Sequence, residues 1–326
     1  MLVLSEQDIM KNYLMKDAIT DLKKGMKAKR EQLIHNPGRT VINFPEVQGS
    51  ALYMPSADLQ EKKSSVKVVT IFPENPQAGK PTTQGVLMLS DATDGEHLCL
   101  MDASYLTRLR TGALSGVATE VFSREESEEL GVIGTGGMAF EQVLGVLEVR
   151  QIKRINLFNR TEEKAHQFKE KLLEFGVTCE ITVMNHVDKV VESADILCCA
   201  TRSEKPVFDG RLLKSGTHIN GVGSFLPSMR EVDLTTIQKA SKIIVDDLHG
   251  VKKEAGELIH AAEQGDWSFS DIYAELFEVD GEKLKRKNED EITFFKSVGS
   301  AYFDQTVGQG IYQKALKLGF GKTVDI

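Results

Sequence analysis

At ~150 residues per domain the 326-residue chain implies about two domains, and 41% apolar with 27% charged residues is an ordinary soluble, globular balance. Forty Lys and Arg against 48 Asp and Glu give a net charge of −8, a poor balance for a general nucleic-acid binder, whose phosphate contacts require a basic surface. No apolar run approaches the ~20 residues that cross a bilayer, and Met1-Leu-Val-Leu-Ser-Glu-Gln-Asp lacks a basic stretch ahead of an apolar one, so a cytoplasmic protein is expected, without a signal peptide or membrane partner.

The first third mixes helix and strands. Ile19, Leu22, Met26 and Leu33 recur at near-helical spacing. Arg39 follows Asn36-Pro-Gly. Val66-Lys-Val-Val-Thr-Ile-Phe72 and Gly85-Val-Leu-Met-Leu89 are rich in strand formers, with Lys67 inside the first. Pro73 to Pro81 reads as a loop. Ala103 to Phe122 reads as a helix with Leu106, Leu109, Ala113 and Val117 on one face. Gly112 and Gly116, four apart within it, permit a close backbone approach.

The pattern changes near residue 124. After the charged Arg124-Glu-Glu-Ser-Glu-Glu129, strand-like segments at Leu130–Ile133, Ile152–Phe158, Cys179–Val183, Asp195–Ala200, His218–Val222 and Ile243–Val245 alternate with helical patterns. Such alternation predicts βαβ units and a parallel sheet. Cys99, Cys179, Cys198 and Cys199 have no C-x-x-C spacing and read as buried reduced thiols, Cys198 and Cys199 on opposite strand faces. The seven histidines are scattered, and no metal site is expected. His218 reads as structural, and Asp246-Asp247 closes a strand and caps the next helix. Trp267, Phe269, Tyr273 and Phe277 are spaced for a packed helix face. Lys283 to Lys287 reads as a solvated turn, and Thr293 to Phe320 as a final helix that returns to the first domain.

Leu130-Gly-Val-Ile-Gly134-Thr-Gly136-Gly-Met-Ala139 fits G-x-G-x-x-A between a strand and a helix. Gly134 makes the tight turn, Gly136 lets a pyrophosphate approach the backbone, and Ala139 lets the helix pack on the strand. A dinucleotide is the expected ligand. The second strand ends at Asn159-Arg160-Thr161, where an NAD site usually has Asp or Glu for the ribose. A guanidinium and a hydroxyl can hold a 2′-phosphate that a carboxylate would repel, so NADPH is preferred and NADH remains possible. The plainer reading makes Thr161 a helix N-cap and Arg160 a solvated charge.

Arg39-Thr-Val, Tyr53-Met-Pro55, Val66-Lys67-Val-Val-Thr, Pro81-Thr-Thr-Gln84, Leu106-Thr-Arg-Leu-Arg110-Thr-Gly-Ala113, Val132-Ile-Gly-Thr-Gly136, Asn159-Arg-Thr161, Ala200-Thr201, Ile219-Asn-Gly-Val-Gly223 and Phe295-Lys-Ser297-Val-Gly299 follow in order. In these segments the chain resembles the ornithine cyclodeaminase/mu-crystallin family. The resemblance implies a homodimer in which residues 1–120, joined by a C-terminal helix at about 300–326, form an α+β substrate-binding and dimerisation domain. Residues 121–299 are then an α/β, Rossmann-type doubly wound parallel-sheet domain for NAD(P). It also implies that Arg39 and Lys67 hold a substrate carboxylate, with Lys67 near the reacting nitrogen. Thr82, Thr83, Arg110, Gly137 and Met138 would contact the cofactor, as would Asn159, Arg160 and Thr161 at its adenosine end. Thr201, Val222, Gly223 and the Ser297–Gly299 segment would line the nicotinamide side.

One departure matters. Cyclodeaminases carry an aspartate in the segment where this chain reads Val222-Gly223-Ser224-Phe225-Leu226-Pro227, with Phe225 at the aspartate's place. Phenylalanine can neither accept a proton nor hold a substrate ammonium, which argues against ornithine cyclodeamination. What survives is hydride transfer to an imine carbon beside a carboxylate, with Arg39 as anchor, Lys67 as proton donor and Phe225 as an apolar wall. The expected substrate is a cyclic ketimine such as Δ1-pyrroline-2-carboxylate or Δ1-piperideine-2-carboxylate. The alternatives are an alanine or opine-type dehydrogenase acting on a 2-oxo acid, favoured by Leu109-Arg-Thr-Gly-Ala113, and a non-catalytic NADPH-binding carrier.

Overall fold

The computed structural model describes residues 1–279 and 284–325. The chain divides into two compact units, Met1–Arg110 with Ser300–Ile326, and Thr111–Gly299.

In chain order the first unit begins with β1 (Leu2–Leu4), α1 (Glu6–Asn12), α2 (Met15–Arg30), β2 (Ile34–His35), β3 (Thr40–Phe44), β4 (Gly49–Asp58), β5 (Lys63–Ile71), β6 (Thr83–Asp91) and β7 (His97–Asp102). The division between units falls within α3 (Ala103–Phe122). Then come β8 (Glu129–Ile133), α4 (Ala139–Val149), β9 (Arg154–Phe158), α5 (Glu162–Phe175), β10 (Glu180–Val183), α6 (Val187–Ser193) and β11 (Ile196–Cys199). They are followed by β12 (His218–Gly221), α7 (Leu234–Lys239), β13 (Lys242–Val245), α8 (Leu248–Glu254), α9 (Gly256–Glu263), β14 (Ala274–Glu275) and β15 (Thr293–Lys296). The chain closes with α10 (Ala301–Leu318) and β16 (Lys322–Thr323), both in the first unit.

The first unit is a sheet ordered β16-β1-β7-β6-β5-β4-β2, with β3 also paired to β4. The pairing lines up Leu4, Met101, Leu87, Lys67 and Met54 in one transverse row, all buried. Helix α10 packs on that face and on α2. Gly308 makes the approach possible, since a Cβ there would lie 3.0 Å from Leu87 Cδ2. The next row on the other face, Val3, Leu100, Met88, Val66 and Pro55, is only half-buried.

The second unit is an all-parallel sheet ordered β10-β9-β8-β11-β12-β15-β13-β14. Chain order reverses between β8 and β11, so the carboxyl ends of those strands form the topological switch point where ligands bind in such folds. Alternate residues feed cores on opposite faces: Leu130, Val132, Ile196 and Cys198 on one, Ile133, Leu197 and Cys199 on the other. Helices α3 and α4 cross almost in backbone contact, for a Cβ on Gly145 would sit 2.0 Å from the Gly112 carbonyl oxygen.

Four sequence expectations need correction. Helix α2 ends at Arg30, not beyond Leu33, because Gln32 takes a left-handed turn with φ 59°. Thr293–Lys296 is a strand between β12 and β15's other neighbour β13, not the start of the last helix; Gly299 at φ 89° separates the two. Trp267 to Phe277 forms short 3-10 turns and β14 rather than a helix, with Ser268 and Asp271 closing the first turn and Trp267 edge-on to Phe269 at 5.2 Å. In the Lys283–Lys287 stretch, Lys283 lies outside the described residues, and Arg286 is no solvated charge: it donates to the carbonyls of Phe122, Gly216 and Glu291. No helix among the described residues is long and apolar enough to cross a membrane.

Candidate functional site

The chemistry-bearing residues form two groups, one in each unit. In the first unit Lys67 interrupts an otherwise apolar buried row, and what makes that tolerable is Asp304 on α10. Lys67 Nζ lies 2.6 Å from Asp304 Oδ2, and Arg110 Nε donates to Asp304 Oδ1 at 2.9 Å. Lys67 Nζ also reaches Thr107 Oγ1 at 3.4 Å. Arg110 Nη1 is buried with no hydrogen-bond partner. Arg39, half-buried, is near enough for its charge to act on Lys67. Burial first, then Arg110 and Arg39, lower the Lys67 pKa against the opposing pull of Asp304, and it settles at about 8. Among the described residues, the buried Lys67 and Arg110 share the one carboxylate of Asp304, an excess of positive charge that an anionic ligand would balance. Arg110, expected at the cofactor, is thus paired on the Lys67 side; Thr82 and Thr83 stand half-buried where β5 turns into β6, Thr82 accepting the Phe72 amide at 2.8 Å.

In the second unit the glycine turn follows β8. Gly134 has φ 87°, and a Cβ there would strike Thr201 Cγ2 at 2.6 Å. Nothing lies within 4 Å of a Cβ built on Gly136 or Gly137, so the backbone is open on that side. Helix α4 begins at Ala139 behind Met138 with no side-chain cap; the Ala139 amide turns back to Gly136 O at 3.1 Å, and Thr135 Oγ1 is buried without a partner. These features fit the pyrophosphate of a dinucleotide. Asn159 pins the turn from the next strand: its Oδ1 accepts from Thr135 N at 3.2 Å, and its Nδ2 donates to Thr161 O at 2.8 Å. Arg160 is exposed and makes no hydrogen bond or ion pair among the described residues. Thr161 stands at the N-cap of α5, yet its hydroxyl makes no capping bond.

Buried carboxylates shape the remaining loops: Glu231 and Glu257, which sequence reasoning missed, and Asp246, which it read only as a helix cap. Glu231 accepts from Thr201 N and Oγ1 and from the amides of Gly223 and Ser224. Lys296, within β15, donates to the Ser224 carbonyl at 2.6 Å and pairs with Glu257 at 3.0 Å. Asp246 Oδ2 accepts from Ser297 Oγ at 2.6 Å, Val298 N at 3.0 Å and Gly299 N at 2.7 Å, while Asp247 alone caps α8 through Gly250 N. Lys296 carried a usable signal, a lysine inside a buried apolar strand; the carboxylates carried none. Val222 is buried and donates to Cys199 O at 3.0 Å, and Phe225 is half-buried. His218 is fully buried between Thr293 Oγ1 and Asn220 Oδ1, with burial holding its pKa down at about 3, a structural role.

A model of the ornithine cyclodeaminase/mu-crystallin family matches residues 1–319. A Δ1-pyrroline-2-carboxylate reductase of Bacillus cereus (strain ZK / E33L) is 39% identical over the whole of both chains. The structure of the Thermococcus litoralis Δ1-pyrroline-2-carboxylate reductase in complex with NADH and L-proline superposes with a TM-score of 0.93 at 35% identity, covering 99% of this chain and 100% of that one. An archaeal alanine dehydrogenase dimer with bound NAD gives 0.91 at 29% identity, covering 100% and 99%.

Proposed function

The chain belongs to the ornithine cyclodeaminase/mu-crystallin family, and from that premise we propose that it is an NAD(P)-dependent oxidoreductase reducing the C=N bond of a cyclic ketimine carboxylate, foremost Δ1-pyrroline-2-carboxylate, to the cyclic L-amino acid. The observation that carries the reading is the Lys67–Asp304–Arg110 cluster with Arg39 beside it: buried positive charge for a carboxylate, and an ammonium poised to give up a proton. Relatives at 39–41% identity carry that reductase's name.

Arg39 would hold the carboxylate as a guanidinium fork. Lys67 would hold a proton at Nζ and deliver it to the imine nitrogen, becoming a neutral amine, while the nicotinamide supplies the hydride to the imine carbon when bound. In the second unit Gly134, Gly136, Gly137 and Met138 would take the pyrophosphate, and Thr201, Val222, Gly223, Ser297 and Gly299 the nicotinamide side. Asn159, the unpaired Arg160 and the uncapped Thr161 hydroxyl favour NADPH at the adenosine end. The reduced nicotinamide and the free thiols of Cys99, Cys198 and Cys199 suit the cytoplasm.

The sheet face opposite α10 fits a homodimer. Val86 and Tyr53 are exposed there, with Val68 between them in the same row, and Val41, Ile42 and Phe44 are exposed on β3. Val68→Glu with Val86→Glu should convert the dimer to a monomer in light scattering.

The deciding assay follows nicotinamide absorbance with NADPH or NADH in parallel, against the cyclic imine, pyruvate with ammonia, and no substrate. A separate reaction tests ornithine for proline. Rapid loss of NADPH with the imine supports the reading. Proline from ornithine would restore cyclodeamination, and cofactor binding without turnover would leave the carrier.

A further inference from the structure

Asp304 is fully buried on α10, one helical turn before Gly308, and it touches both buried cations of the first unit. We infer that Asp304 is a positioning residue, which fixes the Lys67 ammonium and the Arg110 guanidinium by one oxygen each and so presents Lys67 to the imine nitrogen in its charged form. The inference deepens the reading of Lys67 as proton donor and rests on it.

The geometry divides the carboxylate cleanly: Oδ2 faces Lys67 at 2.6 Å and Oδ1 faces Arg110 Nε at 2.9 Å. Three groups face the Lys67–Asp304 pair: Arg110 and Thr107 from α3, and Arg39 from the segment before β3. The other elements packed on α10 send their charges elsewhere along it. From α2, Asp17 takes Lys314, Asp21 takes Lys24 and the Tyr13 hydroxyl, and Lys29 lies over the Tyr302 ring. Strands β4 and β6 present Met54 and Leu87 to either side of Lys67. Burial, Arg110 and Arg39 therefore all drive the Lys67 proton off, and Asp304 is the charge that opposes them, with only a long hydrogen bond to Thr107 Oγ1 beside it. A neutral amine could still accept a hydrogen bond, but it could not deliver a proton to the imine.

The test compares wild type with Asp304→Asn, which keeps the shape and removes the charge, and Asp304→Glu, which keeps the charge. For Asp304→Asn the alkaline limb of kcat/KM moves to lower pH by about one unit or more. Its kcat at pH 8 falls ~10- to 100-fold and partly recovers at pH 6, while KM for NADPH stays within ~3-fold. Asp304→Glu keeps the limb at its wild-type position. A uniform loss with the limb unmoved in Asp304→Asn would make the residue merely structural and overturn the inference. Binding of pyrrole-2-carboxylate, an unreactive planar carboxylate, is measured against pH in the same proteins and needs no turnover. Its loss at high pH should start earlier in Asp304→Asn, and coincident profiles would overturn the inference. A wild type inactive on every imine would overturn the proposed reaction, and the binding profiles would still decide the role of Asp304.

Discussion

Glu231 accepts the Gly223 amide at 2.7 Å through Oε2, while its Oε1 takes Thr201 N and Oγ1 at 2.5 and 2.9 Å. One buried carboxylate therefore ties the end of β11 to the end of β12, beside the switch point of the parallel sheet. Gly223 is held so close that a Cβ there would lie 2.1 Å from the Thr201 carbonyl oxygen.

Replacing Glu231 by Gln turns an amide NH2 toward backbone donors that need acceptors. Each stranded donor costs about 1–3 kcal/mol, so Glu231→Gln should lower the melting temperature and weaken cofactor binding ~10-fold or more. Gly223→Ala should be worse, because the backbone it meets cannot rotate away. Thermal unfolding and cofactor fluorescence titration check both. Unchanged cofactor affinity in a folded Glu231→Gln protein would remove this loop from the binding surface.

Lys67 gives a pH prediction with a definite sign. Its folded-state pKa is lowered to about 8, so the ammonium is present below that pH and lost as pH rises through it. With Lys67 as the proposed proton donor, imine reduction should lose kcat/KM about tenfold per unit above pH 8. Lys67→Met fills the same apolar row, leaves Arg110 to neutralise Asp304, and should cost ~10²- to 10⁴-fold in kcat/KM. A pH–rate profile of the wild type, with thermal unfolding of the variant, checks this. A flat profile to pH 10 would assign the proton to another group.

The parallel sheet was legible because each of its signals is local: a short apolar run, a turn, a helix. Strand β15 was not, since Thr293-Phe-Phe-Lys296 runs toward a helix with no proline or charged cluster to end it, and only its place between β12 and β13 makes it a strand. Lys67 stood out as a lysine in a run of β-branched residues. Asp304 could not stand out: an aspartate in a helix is ordinary until Arg110, 194 residues away, is brought against it. Glu231 and Asp246 were hidden for the same reason, their partners being backbone amides of distant loops. Sequence pattern reveals which face is buried, and tertiary pairing reveals which charge may be.

In the proposed reading, cofactor choice turns on Arg160. It is exposed, without a protein partner, next to a Thr161 hydroxyl that makes no capping bond. A charge-assisted contact to a 2′-phosphate is worth about 1.5–3 kcal/mol. Arg160→Ala should therefore raise KM for NADPH ~10- to 100-fold and leave KM for NADH within ~3-fold. Steady-state kinetics with both cofactors check this. Equal losses with NADH and NADPH would mean that Arg160 does not read the phosphate, and the acidic Glu162 and Glu163 that open α5 would then favour NADH.

Phe225 is the residue we propose to separate the reductase from the cyclodeaminase. It follows Ser224, whose carbonyl is clamped by Lys296 and whose amide is held by Glu231, so the backbone that presents it is fixed. Phe225→Asp then changes the side chain without moving the segment. In the proposed role, where Phe225 walls a hydrocarbon ring, a carboxylate would present the wrong polarity to that ring. Loss of a single methylene's apolar contact already costs about 10- to 200-fold in kcat/KM, which sets the least effect for a phenyl ring. Phe225→Asp should thus reduce the cyclic imine at least that much more slowly while binding NADPH as before. It should still yield no proline from ornithine, because ring closure after amine oxidation needs several placed proton transfers rather than one carboxylate. Proline from ornithine in the variant alone would show that this single position decides between the two reactions.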